Sequence, residues 1–131
     1  MNNENGGSSD TEASGRVAFQ VLNVADLKDR LMDDVDLINE VLITFFADFK
    51  RRLSELNESA LCGDLARASK AVHSIKGASG NVSAEVLMNT ALQVELAAKS
   101  GDLATVNASI DKIESDFNDF RKAVLKAGFK A

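Results

Sequence analysis

The stretch LATVNASIDKIESDFNDFRKAVLKA, residues 103–127, reads as one long amphipathic helix. Leu103, Val106, Ile110, Ile113, Phe117, Phe120, Val124 and Ala127 alternate three- and four-residue steps over its whole length. That spacing keeps a single apolar seam on one side, as in a helical bundle or coiled coil. Such a seam has to be covered by other helices.

Working back toward the N-terminus supplies them. Gly101-Asp102 is a turn signal, preceded by a stripe of Leu87, Ala91, Val94 and Ala98 for which Ser83 reads as the N-cap. A helix over about residues 65–81 has its apolar positions at Leu65, Ala68, Val72 and Ile75, with Val82 just beyond. Gly63-Asp64 punctuates the chain before it, Asp64 being a capping residue by type. Another helix begins near Asp34 or Asp36 and runs to about Glu58, with Ile38, Val41, Leu42, Phe45, Phe46, Phe49, Leu53 and Leu56 on one face. A short segment, Val24 to Met32, repeats Val24, Leu27 and Leu31 at helical spacing. No stretch alternates like a strand.

The fold expected is therefore all-α: an antiparallel up-down four-helix bundle with an additional short N-terminal helix. Residues 1–22, rich in Gly, Ser, Asn and Glu, read as a flexible polar tail or linker, and residues 23–131 as the bundle domain.

Bulk composition narrows the function classes. The chain has 131 residues, 45% apolar and 27% charged, with no proline to interrupt long helices. Twenty acidic against fifteen basic residues give a net charge of −5, which argues against nucleic acid as a partner. Cys62 is the only cysteine, so no internal disulfide or thiolate metal site forms, and a reducing compartment fits. No apolar run reaches the roughly 20 residues of a membrane span. The start of the chain lacks the basic and apolar segments of an export signal. Together these features predict a cytoplasmic protein. One His, one Cys and no inward Glu-x-x-His pair give a di-metal bundle no support.

Chemistry concentrates in Ala71-Val-His-Ser-Ile-Lys-Gly-Ala-Ser-Gly-Asn81, which holds the only histidine and two glycines inside a helical pattern. A mid-helix Gly costs about 1 kcal/mol relative to Ala, so two of them ask for a reason. At about 100° per residue, the core positions lie roughly 120° from His73, which therefore faces outward or borders the buried stripe. Its neighbours on that face are Ala66, Ser69, Gly77 and Gly80, all small, with Lys70 and Lys76 to either side. A histidine ordinarily titrates near ~6.5, so unprotonated imidazole is available as a nucleophile at neutral pH. Gly77 gives steric clearance for an incoming phosphoryl donor, and Lys76 can balance the charge on phosphoryl oxygens.

His73-x-x-Lys76-Gly77, continued by Ser79-Gly80-Asn81, resembles the signature of the histidine-containing phosphotransfer (HPt) family, close to AHxLKGxSGNxG. Leu42–Phe46, the Leu61-Cys62-Gly63-Asp64 turn, Glu95 and Gly101-Asp102 agree with the same pattern, so the resemblance covers roughly residues 24 to 127. It implies a helical bundle that accepts a phosphoryl group on the outward nitrogen of His73 from a receiver-domain aspartyl phosphate and passes it to another receiver. The implied partners are response-regulator receiver domains and a hybrid sensor histidine kinase. No cofactor is implied, since the Mg²⁺ for transfer belongs to the receiver. The result is a phosphocarrier without an autonomous kinase active site. Ser83 departs from the pattern, standing where the family often has Gly.

The same residues have plainer readings. Lys76 could be a solvated helix lysine, and Gly80 a packing glycine. Glu95 reads either as a hydrogen-bond partner of the imidazole or as an exposed carboxylate. Ser69, Gly80, Leu27, Leu31 and Ile38 are the candidates for a partner-binding patch. A closed bundle leaves no second seam, so a monomer is expected. The competing function is a helical protein-interaction adaptor in which His73 is chemically silent.

Overall fold

Four helix starts are set by short polar side chains in the computed structural model, which describes residues 18–131. Asn23 leads α1 (Val24–Arg30), Asp34 leads α2 (Val35–Leu61), Asp64 leads α3 (Leu65–Asn81) and Asp102 leads α5 (Leu103–Lys126). Each cap accepts a hydrogen bond from the backbone N–H three residues on, at 3.0–3.1 Å. These bonds satisfy donors that a helix N-terminus otherwise leaves unpaired.

The fourth helix, α4 (Glu85–Lys99), starts differently. Its N-cap is Ala84, with no side-chain cap. Ser83 is not the cap that its residue type suggests, because it is the left-handed residue of the turn, with φ +58°. The other two turns between long helices place glycine at the same point, Gly63 at φ +69° and Gly101 at +82°. Ser83 offsets its strain by donating its hydroxyl to Asp26 at 2.7 Å. Asp26 also receives Arg30, and these two hydrogen bonds hold its carboxyl below the usual range.

The start of α4 is completed by the segment ahead of α1. Val86 N–H donates to the Gln20 carbonyl, Gln20 N–H and the Asn23 amide donate to Glu85, and Asn23 N–H donates to the Ser83 carbonyl. Leu22 is buried in the core and Val21 packs against it. Gln20–Leu22 therefore belong to the folded unit, which moves the domain edge earlier than residue 23. Of the assigned tail, residues 1–17 lie outside the described residues.

The long helices close a ring: α2 packs on α3, α3 on α4, α4 on α5, and α5 returns to α2, while α1 leans on α2. Residue pairings run in opposite directions along neighbours. Glu55 meets Arg67 and Arg52 meets Ser74 between α2 and α3, and Gly80 meets Met88 while His73 meets Glu95 between α3 and α4. Phe45 meets Phe120 and Phe49 meets Phe117 between α2 and α5. The arrangement is an antiparallel up-down bundle, as three-residue connections require. Phe45, Phe46, Phe49, Phe117 and Phe120 interlock along the α2–α5 contact, with Phe49 stacked on Phe117 at 3.8 Å. This aromatic block fixes one side of the bundle and leaves α3 and α4 to present the other.

Candidate phosphoacceptor site

The centre of the α3–α4 face is a buried carboxylate surrounded by bases. Glu95, only 4% exposed, accepts from His73 Nδ1 at 2.8 Å and from Lys76 Nζ at 2.7 Å, and pairs with Lys99 Nζ at 3.4 Å. His73 and Lys76 come from one face of α3, and Lys99 lies one turn along α4 from Glu95. The hydrogen bond from Lys76 leads, with those of His73 and Lys99, in pulling the Glu95 carboxyl down to about 2 against the opposing effect of burial. Glu95 is therefore ionised at neutral pH.

That charge state assigns the ring tautomer. An ionised carboxylate only accepts hydrogen bonds, so Nδ1 of His73 carries a proton, and in the neutral form of the ring the lone pair is on Nε2. The His73 side chain is 66% exposed even though one edge is anchored to a buried group. The result is an oriented imidazole, tied through Nδ1, with its other edge accessible. Two lysines against one carboxylate leave one net positive charge beside it.

The small residues behave in two ways. A Cβ built at Gly77 meets nothing within 4 Å, so the space one turn from His73 is open. A Cβ at Gly80 would meet Met88 Sδ at 3.1 Å, and this glycine serves close packing of α3 on α4. Ser69 is half-buried, one turn before His73. Leu27 and Ile38 are fully buried in the core and cannot form a docking patch. Leu31 is half-buried and packs against that core. All three lie on the inward stripes of α1, its C-cap and α2, where helical spacing puts apolar residues by default.

Sequence reasoning passed over Lys99, although its i,i+4 spacing from Glu95 was readable. It also missed Arg52, which reaches from α2 to the hydroxyl of Ser74, next to His73. That contact needs the register of α2 against α3, which no single-helix pattern contains. Among the described residues no three His, Cys, Asp or Glu side chains gather in a way that could hold a metal ion, and no helix is long and apolar enough to cross a membrane.

Fold and site together define a helical bundle that presents one oriented, exposed imidazole in a basic setting. A family model for the Hpt domain matches residues 40–123, and the chain belongs to that family. It is similar to the crystal structure of histidine-containing phosphotransfer protein B (HptB) from Pseudomonas aeruginosa PAO1. The two share 26% sequence identity over 82% of this chain and 93% of that one, with a TM-score of 0.69. A search of curated proteins gives no significant match.

Proposed function

We propose that His73 is the phosphoacceptor through which this Hpt domain acts in a phosphorelay, taking a phosphoryl group from a receiver-domain aspartyl phosphate and returning it to another receiver. The observation that carries this reading is the Nδ1–Glu95 bond, which leaves Nε2 as the free nucleophile. Attack by Nε2 forms the N–P bond as the acyl phosphate O–P bond breaks, and the donor's aspartate is regenerated as carboxylate. The ring then carries a phosphoryl group at Nε2 and a proton at Nδ1, and is cationic. The Glu95 carboxylate offsets that charge, which favours the step.

Lys76 and Lys99 sit at the same carboxylate and balance the phosphoryl oxygens. Gly77 keeps the approach to Nε2 clear. The chain acts as a carrier, without a kinase active site of its own. Its partners are receiver domains, including that of a hybrid sensor kinase, and the receiver supplies the Mg²⁺. The bundle works as a monomer.

Transfer from a radiolabelled, phosphorylated receiver panel to the wild-type chain and to His73→Gln tests the reading. Label on the wild type alone, stable to base and lost in acid, is expected. Label on His73→Gln would overturn the assignment. A folded wild-type chain that takes no label would leave the helical adaptor as the better account.

A further inference from the structure

The partner-binding residues expected on α1 and α2 are largely interior, and the exposed apolar surface beside the site lies elsewhere. Leu92 and Leu96 are 37% and 53% exposed, on the one helix that supplies Glu95. They form an i,i+4 pair, so their side chains adjoin on the helix surface. At about 100° per residue they are turned roughly 60° and 100° from Glu95, on the side away from the buried stripe Leu87–Ala91–Val94–Ala98.

The pairings His73–Glu95 and Gly80–Met88 fix the register of α3 against α4. In that register Leu96 lies level with Val72, beside His73, and Leu92 level with Lys76. Lys99, 63% exposed, continues the same face. Among the described residues, no two of the other large exposed apolar side chains on helices, Val35, Ile43, Leu61 and Leu125, are spaced i,i+3 or i,i+4 on one helix.

Resting on the phosphoacceptor reading of His73, we infer that Leu92 and Leu96 form a docking ledge on α4 for the receiver domain that exchanges phosphoryl groups with His73. Delivery to Nε2 requires the donor to cover the surface around the ring, and the ledge lies within that footprint. A phosphoaspartyl group is anionic, so the donor face that presents it complements the net positive charge of Lys76 and Lys99 against Glu95. Desolvating two leucines next to that charged centre supplies the apolar part of the contact, and the lysines orient it.

The test compares two phosphodonors on the full chain. One is a phosphorylated receiver that labels the wild type. The other is phosphoramidate, which is too small to need a ledge and transfers its phosphoryl group to Nε2 with loss of ammonia. Leu92→Glu/Leu96→Glu is expected to lower kcat/KM from the receiver about tenfold or more, mainly through KM. Phosphoramidate labelling of the same variant should stay within about twofold of wild type, which also reports that the site is folded. Leu96→Met, which keeps the apolar surface, should transfer from the receiver like wild type, and Leu125→Glu should leave both donors unaffected. Unchanged receiver transfer in the double variant overturns the ledge. So does an equal loss with both donors, which would mean the leucines act on the ring and not on docking. Failure of the underlying reading looks different: the receiver would label wild type and His73→Gln alike.

Discussion

Glu95 and Asp116 are both carboxylates inside the bundle, 4% and 5% exposed, and each pairs with a lysine one turn away on its own helix. Their remaining partners separate them. Asp116 accepts from Lys112 at 2.9 Å and from the Thr90 hydroxyl at 2.5 Å, a tie between α5 and α4 that involves no imidazole. Glu95 instead holds two groups from α3, one of them an imidazole whose far edge is open to solvent. Burying a carboxylate is costly unless it is paired, and both are paired. In one case the return is a fastening between helices. In the other it is the orientation of an exposed imidazole.

The largest difference should appear in phosphotransfer. Glu95→Ala removes both the tautomer anchor and the charge that offsets the phosphorylated ring, and transfer is expected to slow about 10²-fold. Glu95→Gln keeps an acceptor for Nδ1–H but loses the charge, so it should retain more activity, with a loss of about tenfold. Asp116→Ala should leave single-turnover transfer within about twofold of wild type. Equal losses at both positions would break the contrast.

Stability should separate the two far less. Asp116→Ala leaves Thr90 and Lys112 without their shared acceptor, and a loss of about 1–3 kcal/mol in urea unfolding is expected. Glu95→Ala should cost a similar amount, because it removes a buried carboxylate that Lys76, His73 and Lys99 hold well below the ordinary carboxylate range. If Glu95→Ala proves the more destabilising of the two, the carboxylate at the site is principally a fastening as well.

Acid sharpens the comparison further. The Glu95 carboxyl lies at about 2 in the folded chain, below its ordinary value of 4.5. A depressed folded-state value means stability that is fully present above the unfolded value and fades as pH falls through the folded one. The difference in urea midpoint between wild type and Glu95→Gln should be constant from neutrality down to about pH 4.5 and shrink toward pH 2. A difference that grew on acidification would contradict the assigned ion pairs.

Much of this was legible in the residues, and the misses have physical causes. The seam from Leu103 to Ala127 and the Gly-Asp turns determine four antiparallel helices, because both signals are local. The wheel placed His73 outward for the same reason. Ser83 misled because its type favours a cap, whereas its φ is set by the three-residue connection that Gly63 and Gly101 also serve. Gln20–Leu22 were assigned to the tail because three residues are too few to show a periodicity and the hydrogen bonds that dock them on α4 use their backbone groups. Leu27 and Ile38 show the limit of helical spacing. It says which face is apolar but not that the face is already covered.

The two glycines of α3 repeat the division between site and scaffold at smaller scale. Alanine at either position should gain about 1 kcal/mol of helix propensity. At Gly77 nothing opposes the gain, since the added methyl meets no atom of this chain, and Gly77→Ala is expected to raise stability by about that amount. At Gly80 the methyl presses on Met88 Sδ at 3.1 Å, and although a thioether can shift, the gain should fall to within about 0.5 kcal/mol of zero. Transfer should sort them the opposite way. The methyl at Gly77 stands one turn from His73 in the donor's path and should slow receiver transfer several-fold, while Gly80→Ala, on the packed side, leaves it near wild type. A stabilised Gly77→Ala that transfers at full speed would show that the open space beside the ring is larger than docking needs, and the glycine would then lack a role in clearance.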